Sequence, residues 1–505
     1  MPLTLVLGPA NSAKAGHVLG AYAAAAHRGA LLVVPNAQDA RHYARELAGE
    51  SSVLGSVLTF SGLCFAIASR VGYSARGLSA LQRETVVERS LERARLKLLA
   101  AAAEHPGFVA AAGELIAELE RSLVTPQRFA SAMQAWAGAD QRRVAYGREV
   151  AGIYLSYSRE LERVGWVDRD LYAWRALDAL RAEPGRWGAA PVFFYGFDDL
   201  HALQRDAVET LSRVAAVEVT VSLPYEAGRT ALAARAEVVE ELRPLADRVT
   251  ELPPLDEHYA SSSRLALHHL ERSLFEPATG GHGGAPERLE ARIEAGGAVR
   301  LLEAGGERAE AELLAAEAGA LVRAGIPGEE IAIVYRSPRI VAPLLERVFA
   351  QYGVALSTDY KVAFGHTALG REILALARCA LLPEGRSRAE DLLVYLRAPG
   401  VVDQELADAL ELAVRREGLK TAAQARARLP LRLAEIDSLR DAVDPGAELA
   451  RQGSRLLAAC GRGTAPVLDG EGQLDARALA GMLRALDELT ELGERPSGPG
   501  LIDLL

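Results

Sequence analysis

Near its start the chain reads GPANSAKA, Gly8 to Ala15, directly after the apolar run Leu3–Leu7 and before an alanine-rich stretch with helical spacing. A phosphate-binding loop has the form GxxxxGK[ST] in that setting. Backbone N–H groups at a helix start and one lysine together cradle phosphate oxygens. Gly8 and Lys14 hold the first-glycine and lysine positions. Two positions depart from the pattern. Ala13 stands where glycine lets the chain curl around a phosphate, a conformation that disfavours a Cβ. Ala15 stands where a hydroxyl ligates Mg²⁺. Gly8, Ser12 and Lys14 are therefore candidate nucleotide contacts able to hold an anion, whereas hydrolysis of ATP needs Mg²⁺ as well. A tight strand–helix turn that happens to contain a lysine has the same letters.

A motor built on such a loop places an acid at the end of a neighbouring strand to orient the same ion. The matching run is PVFFYGF, Pro191–Phe197, followed by Asp198 and Asp199. Tyr195 occupies the place of the acid. Asp198 and Asp199 fall on the next turn, where the expectation is that they cap the following helix rather than bind metal. The three cysteines, Cys64, Cys379 and Cys460, are far apart. Their spacing suits neither a zinc site nor an iron–sulfur cluster. No catalytic residue and no metal ligand is assigned.

The elements that must position these residues follow from periodicity. Strands are expected at Leu3–Leu7, Ala30–Val34, Val57–Phe60, Val192–Phe197 and Val217–Leu223, with helices at Ala37–Leu47 and His201–Val214. Continuous apolar runs separated by helices indicate a parallel sheet covered on both faces. From Ser79 to Leu180 the spacing is almost wholly helical, a block inserted into one doubly wound sheet. Residues 226–295 read as a connection, with Pro277–Ala285 a flexible loop. A second alternating region starts at Val299 (VRLLEA). It continues through a helix at Arg308–Ala324, a strand at Ile331–Tyr335, a helix at Ile340–Tyr352 and a strand at Val354–Thr358. After Leu382 the pattern is helical, apart from weak apolar runs near Val401 and Val467. The expected class is α/β, with two P-loop NTPase (RecA-like) parallel-sheet lobes, each interrupted by a large helical insertion. The division is 1–75 and 166–228 for the first lobe, 76–165 for its insertion, 229–295 for the connection, 296–382 for a partial second lobe and 383–505 for a second helical insertion. The second sheet does not resume, so a truncated chain is expected.

The 505 residues exceed what one hydrophobic core usually supports. No run is long enough to span a membrane, and the first residues lack the basic start of a signal peptide. With so few cysteines, a reducing cytoplasm is the expected compartment. The formal charge of −10 argues against a broad basic surface and leaves room only for a local nucleic-acid groove.

The segments GPANSAKA, LLVVPNAQDARHYARELA, SVLTFSGL, GWVDRDLY, PVFFYGFDDLHALQRDAV, VEVTVSLP and EEIAIVYRSPRIVAPLLERVFAQYGVALS occur in that order. In this order the chain resembles AddB-type proteins, one subunit of the bacterial AddAB helicase–nuclease, with a UvrD-like superfamily 1 fold and a terminal PD-(D/E)XK nuclease domain. The likeness covers most of residues 1–382. It implies a degenerate motor that processes double-strand breaks for recombinational repair, as a heterodimer with an AddA-like subunit and acting on single-stranded or end-containing DNA. It implies that Lys14 is the phosphate-loop lysine and that Thr59 and Phe60 face single-stranded DNA. Gln204 then falls in the GF…Q pattern, and Arg336, in IVYRS, matches an arginine that reaches toward a γ-phosphate. Plainer alternatives stay open: Phe60 as core, Gln204 as a solvated helix residue, Arg336 paired with Glu329 or Glu330. The family's nuclease domain and its cluster-binding cysteines have no counterpart in these residues. A working ATP-dependent helicase would need Ser12 and Asp198 to replace the missing metal ligands. A P-loop-like metabolic kinase or transferase is disfavoured by the helical insertions.

Overall fold

The computed structural model describes residues 3–48, 55–276, 297–358, 360–460 and 470–505. The chain divides into two compact units, Met1–Arg300 and Leu301–Leu505. The segment Pro277–Ala285 and the run near Val467 lie outside the described residues.

In the first unit six strands form one sheet: β1 (Leu3–Gly8), β2 (Leu31–Val34), β3 (Ser56–Thr59), β4 (Val192–Phe194), β5 (Val219–Pro224) and β6 (Arg248–Glu251). The order is β3-β2-β4-β5-β1-β6, and every pairing is parallel. A parallel neighbour can be reached only by a crossover, so helices cover both faces and both must be apolar. Strand side chains alternate accordingly. Leu3, Leu5, Leu7, Val33, Phe194 and Val221 enter one core. Val6, Leu32, Val34 and Phe193 enter the other, beneath α1 (Lys14–Ala25) and α2 (Ala37–Ala48).

Two expectations need correction here. Residues 248–251 form a strand inside what the sequence suggested was a connection with its own helices. It is an edge strand whose side chains are half or fully exposed, so no apolar run announced it. Phe60 does not end a strand. Thr59 N-caps α3 (Phe60–Val71), its hydroxyl accepting from Gly62 N–H at 3.3 Å, and Phe60 is the first helical residue.

The helices after α3 are α4 (Ala80–Arg93), α5 (Ala100–Ala103), α6 (Pro106–Arg121), α7 (Pro126–Ala137), α8 (Gln141–Val164) and α9 (Arg169–Ala182). They are tied together by buried charge. Glu160 is fully buried and meets Arg89, Arg93 and Arg163. Asp168, also buried, caps α9 through Leu171 N–H at 2.9 Å and accepts the Tyr157 hydroxyl at 2.6 Å. Arg83 Nε lies 3.7 Å from the same carboxylate. The sheet then resumes with β4, α10 (Ala202–Glu209), β5, α11 (Ala236–Leu242), β6 and α12 (Arg264–Ser273).

In the second unit α13 (Glu307–Arg323) packs on α14 (Pro338–Gln351) through Ala311, Ala315, Leu345 and Phe349. The strands expected at 299–304, 331–335 and 354–358 are not in a ladder. Alternation survives nonetheless. Ile331, Ile333 and Tyr335 are half-buried against the α13–α14 pair, while Ala332, Val334 and Arg336 are exposed. A strand becomes one by pairing, and among the described residues none of these segments has a partner. The remaining helices begin with α15 (Ala368–Leu381) and α16 (Ala389–Leu396), around Ile373, Leu376, Tyr395 and Leu396. Among the described residues no helix is long and apolar enough to cross a membrane.

Candidate functional site

The turn between β1 and α1 is built by close approach. A Cβ on Gly8 would meet Ser12 Oγ at 2.4 Å and the Leu252 carbonyl at 3.0 Å, so glycine alone fits there. Asn11 and Ala13 both take φ of 57°. Asparagine tolerates the left-handed region, whereas alanine there costs about 1 kcal/mol. The curl that a phosphate loop needs is thus present, imposed on a residue with a Cβ.

The interior of the turn is occupied by its own side chains. Ser12 is 3 % exposed, and its hydroxyl donates to the Pro9 carbonyl at 2.9 Å. Lys14 folds back over the turn. Its ammonium donates to the Gly8 carbonyl at 2.9 Å, to Ser12 Oγ at 3.0 Å and to the Pro9 carbonyl. An ammonium has three donors, and all three are used. Burial lowers the Lys14 pKa to about 8, and the Glu271 carboxylate works in the opposite direction. Glu271 belongs to an ionic cluster in which Arg229 meets Glu226, Glu271 and Glu276, and Arg272 meets Glu226. Of this cluster, Glu271 is the carboxylate that acts on Lys14.

A distant segment latches the turn. Leu252 N–H donates to the Leu7 carbonyl at 2.8 Å and Leu255 N–H to the Asn11 carbonyl at 2.9 Å. Asn11 Nδ2 returns a bond to the Leu255 carbonyl at 2.6 Å. Tyr225 N–H donates to the Gly8 carbonyl at 3.1 Å. Sequence reasoning missed this latch because its partners are 244 residues apart and carry no motif.

The acid strand behaves differently from expectation. Tyr195 packs edge-on against Tyr43, with ring centroids 5.6 Å apart. Asp199 accepts from Leu200 N–H at 2.8 Å and Asp198 lies 3.8 Å from Arg235. Neither caps α10. His201 does, accepting from Gln204 N–H through Nδ1 at 3.4 Å, while the Gln204 side chain accepts from His201 N–H at 3.0 Å. This reciprocal pair is a capping box. Gln204 is therefore buried rather than solvated. The spacing of three between His201 and Gln204 was a usable signal. The Phe60 ring meets the His201 ring edge-on at 5.7 Å, and it is half-buried against the core beneath α3. Burial, followed by Arg121, Arg205 and Arg169, lowers the His201 pKa to about 4, so the ring is neutral at pH 7.

These residues do not suit Mg²⁺-bound ATP. Residue 15 has no hydroxyl, position 195 has no carboxylate, and the lysine is spent on its own turn. Among the described residues no group of three or more His, Cys, Asp or Glu side chains is placed to hold a metal ion. Cys64 and Cys379 are free and buried, and burial pushes both thiols up to about 12.

The family model described as ADDB, N-terminal, matches residues 6–271, which takes in the turn, the acid strand and the latch. The chain belongs to the AddB family. An ATP-dependent helicase/deoxyribonuclease subunit of Geobacillus thermodenitrificans is 26 % identical over 400 residues, 74 % of this chain and 33 % of that protein. The protein of the same description from Geobacillus kaustophilus is 26 % identical over 352 residues, 65 % of this chain and 28 % of that protein. The Lysinibacillus sphaericus protein is 24 % identical over 387 residues, 71 % and 31 % respectively. The AddB-family chain thus spans about a third of the length of the curated relatives it matches.

Arg336 lies in the second unit, exposed, at the end of the alternating segment 331–335. Among the described residues no ion pair joins it to Glu329 or Glu330.

Proposed function

We propose that this AddB-family chain is a DNA-binding, helicase-like subunit of a helicase–nuclease complex in double-strand break repair by recombination, with an ATP site that does not turn over. Its partner in this reading is an AddA-like subunit that supplies the active motor, in a cytoplasmic heterodimer acting on single-stranded or end-containing DNA. Thr59 and Phe60 are the proposed DNA contacts of the first unit. Gly8, Ser12, Lys14 and Arg336 are the residues that would meet a nucleotide. The second unit is proposed to be a further parallel-sheet lobe, supported by the alternating burial of 331–335. No nuclease chemistry is assigned to these 505 residues.

The observation that carries the proposal is the closed circuit of Lys14, Gly8, Pro9 and Ser12. A lysine whose three protons are committed to its own turn must break those bonds to reach a phosphate, and the metal's usual ligands are absent. The test is equilibrium titration of ATP with and without Mg²⁺, on the natural chain and on Lys14→Ala, with phosphate release followed in parallel. Weak or no binding, indifferent to Mg²⁺, is expected. Binding that requires both Mg²⁺ and Lys14 and leads to turnover would establish an active helicase instead.

A further inference from the structure

In the helical part of the first unit, remote in sequence from the turn at Lys14, a depression of about 470 Å³ is lined by Leu98, Leu99, Trp136, Asp140, Arg142, Arg143 and Tyr146. Its volume lies within the range of small-molecule sites, roughly 300–1,000 Å³. Two aromatic rings are left in solvent. Trp136 is 52 % exposed and Tyr146 41 % exposed, with ring centroids 6.4 Å apart. Their position is fixed by the α7–α8 corner. Trp136 lies in the last turn of α7, and Tyr146 sits in the second turn of α8.

The opposite wall is also held in place. Glu149 accepts from the backbone N–H groups of Lys97, Leu98 and Leu99 at 3.1, 2.8 and 3.0 Å. This clamps the loop before α5 and spends the Glu149 carboxylate on backbone. Asp140 is likewise spent on the N–H groups of Arg142 and Arg143. The guanidiniums are not neutralised to the same degree. The Arg143 guanidinium lies 5.3 Å from the Trp136 ring centroid, with only a 3.6 Å approach to Asp140. Arg142 is exposed and makes no ion pair within 4 Å among the described residues, its charge acting on Asp140 only at longer range. Segments 95–99 and 136–149 carry Arg95, Lys97, Arg142, Arg143 and Arg148 against Asp140 and Glu149. That local excess of positive charge stands out in a chain of net charge −10.

We propose that this depression is a base-stacking subsite for single-stranded DNA, in which Trp136 and Tyr146 take one or two bases and Arg142 and Arg143 take the flanking phosphates. Exposed aromatic rings beside solvent-exposed arginines in local excess over carboxylates are the two components of sequence-tolerant single-strand binding: stacking from the rings and phosphate attraction from the cations. A flat protein-docking patch would need neither the concavity nor the uncompensated charge. The inference rests on the DNA-binding reading above and adds a location that neither Thr59 nor Phe60 provides.

The experiment measures anisotropy of a fluorescein-labelled dT16 oligonucleotide on the intact chain from 25 to 300 mM salt. A 5-iododeoxyuridine oligonucleotide is photocrosslinked in parallel, and the adduct is mapped by peptide mass. Trp136→Ala with Tyr146→Ala is expected to weaken binding roughly 5- to 150-fold, and Trp136→Phe to retain most of it. Arg142→Gln is expected to lower the slope of log K against log salt by about one. The crosslink is expected on the peptide containing Trp136 or Tyr146. If the natural chain binds but all variants bind equally and the crosslink maps elsewhere, the subsite is wrong while the DNA reading stands. If the natural chain does not bind dT16 even at 25 mM salt, both fall. If the variants keep DNA binding but lose a partner polypeptide, the depression is a protein interface and the proposal is overturned.

Discussion

Asp168, the first acid of GWVDRDLY, is structural by its contacts. Replacing it with alanine removes the α9 cap, at about 1 kcal/mol. It leaves the buried Tyr157 hydroxyl without its acceptor, about 1–3 kcal/mol. It also takes a carboxylate from Arg83, whose side chain is a quarter exposed and still donates to the Gly113 carbonyl at 2.7 Å, so about 0.5–1 kcal/mol is lost there. Glu120 is buried, and its carboxyl is raised well above the usual range, by burial first and by Asp168 second, to which it also hydrogen-bonds, so that contact goes too. The net expectation for Asp168→Ala is a loss of about 3–4 kcal/mol. Asp168→Asn keeps an acceptor for Leu171 N–H and for Tyr157 and is expected to lose about half as much. All four tryptophans, Trp136, Trp166, Trp174 and Trp187, precede residue 300, so tryptophan fluorescence in a urea titration reports the first unit alone. A midpoint shift worth under about 1 kcal/mol for Asp168→Ala, or an asparagine variant as damaged as the alanine one, would refute the reasoning.

In the second unit, burial first and Asp475 second push Glu372 up to about 7. The folded form therefore holds its proton more tightly than the unfolded chain, and the stability it contributes is lost as pH rises from 4.5 through 7. Complete conversion gives roughly 3 kcal/mol, which partial solvent screening of this incompletely buried group reduces to about 1 kcal/mol. Glu372→Gln should flatten that pH dependence in circular-dichroism melts between pH 4.5 and 8, and an unchanged slope would count against it. Ala13→Gly should release the left-handed strain at the β1–α1 turn. The gain of about 1 kcal/mol is offset in part by extra freedom in the unfolded chain, for a net of about 0.5 kcal/mol. A loss of stability would show that the φ of 57° is not the solution conformation.

Five of the six strands were legible because buried parallel strands are continuous apolar runs, as LTLVL, LLVV and VTVSL show. The sixth, RVTE, is an edge strand with no such run, and its pairing with β1 is a property of the tertiary fold. The segments IAIVY and VALST have the right alternation but no ladder among the described residues, since alternation reports burial on one side and says nothing of a neighbour. The turn at Gly8–Lys14 was legible as a loop, and its departures at Ala13 and Ala15 could be read directly. That Lys14 closes on its own carbonyls was not legible, because the choice between an inward and an outward ammonium depends on Ser12, Leu252 and Glu271 together. Likewise the depression at Trp136 required α7, α8 and the loop at Leu98 to meet.

The register of β1 has a consequence for synthesis. Its two neighbours are β5, which pairs Val219 with Leu3, and β6, which pairs Arg248 with Thr4. At a translation rate of about 5–20 residues per second, the first strand waits on the order of ten to fifty seconds for either edge to be filled. During that interval LTLVL is an open, sticky ribbon on the nascent polypeptide. Slower elongation lengthens the wait, so the yield of correctly assembled protein should depend on holdase chaperones acting at the ribosome exit, more than the equilibrium stability of the finished sheet would suggest.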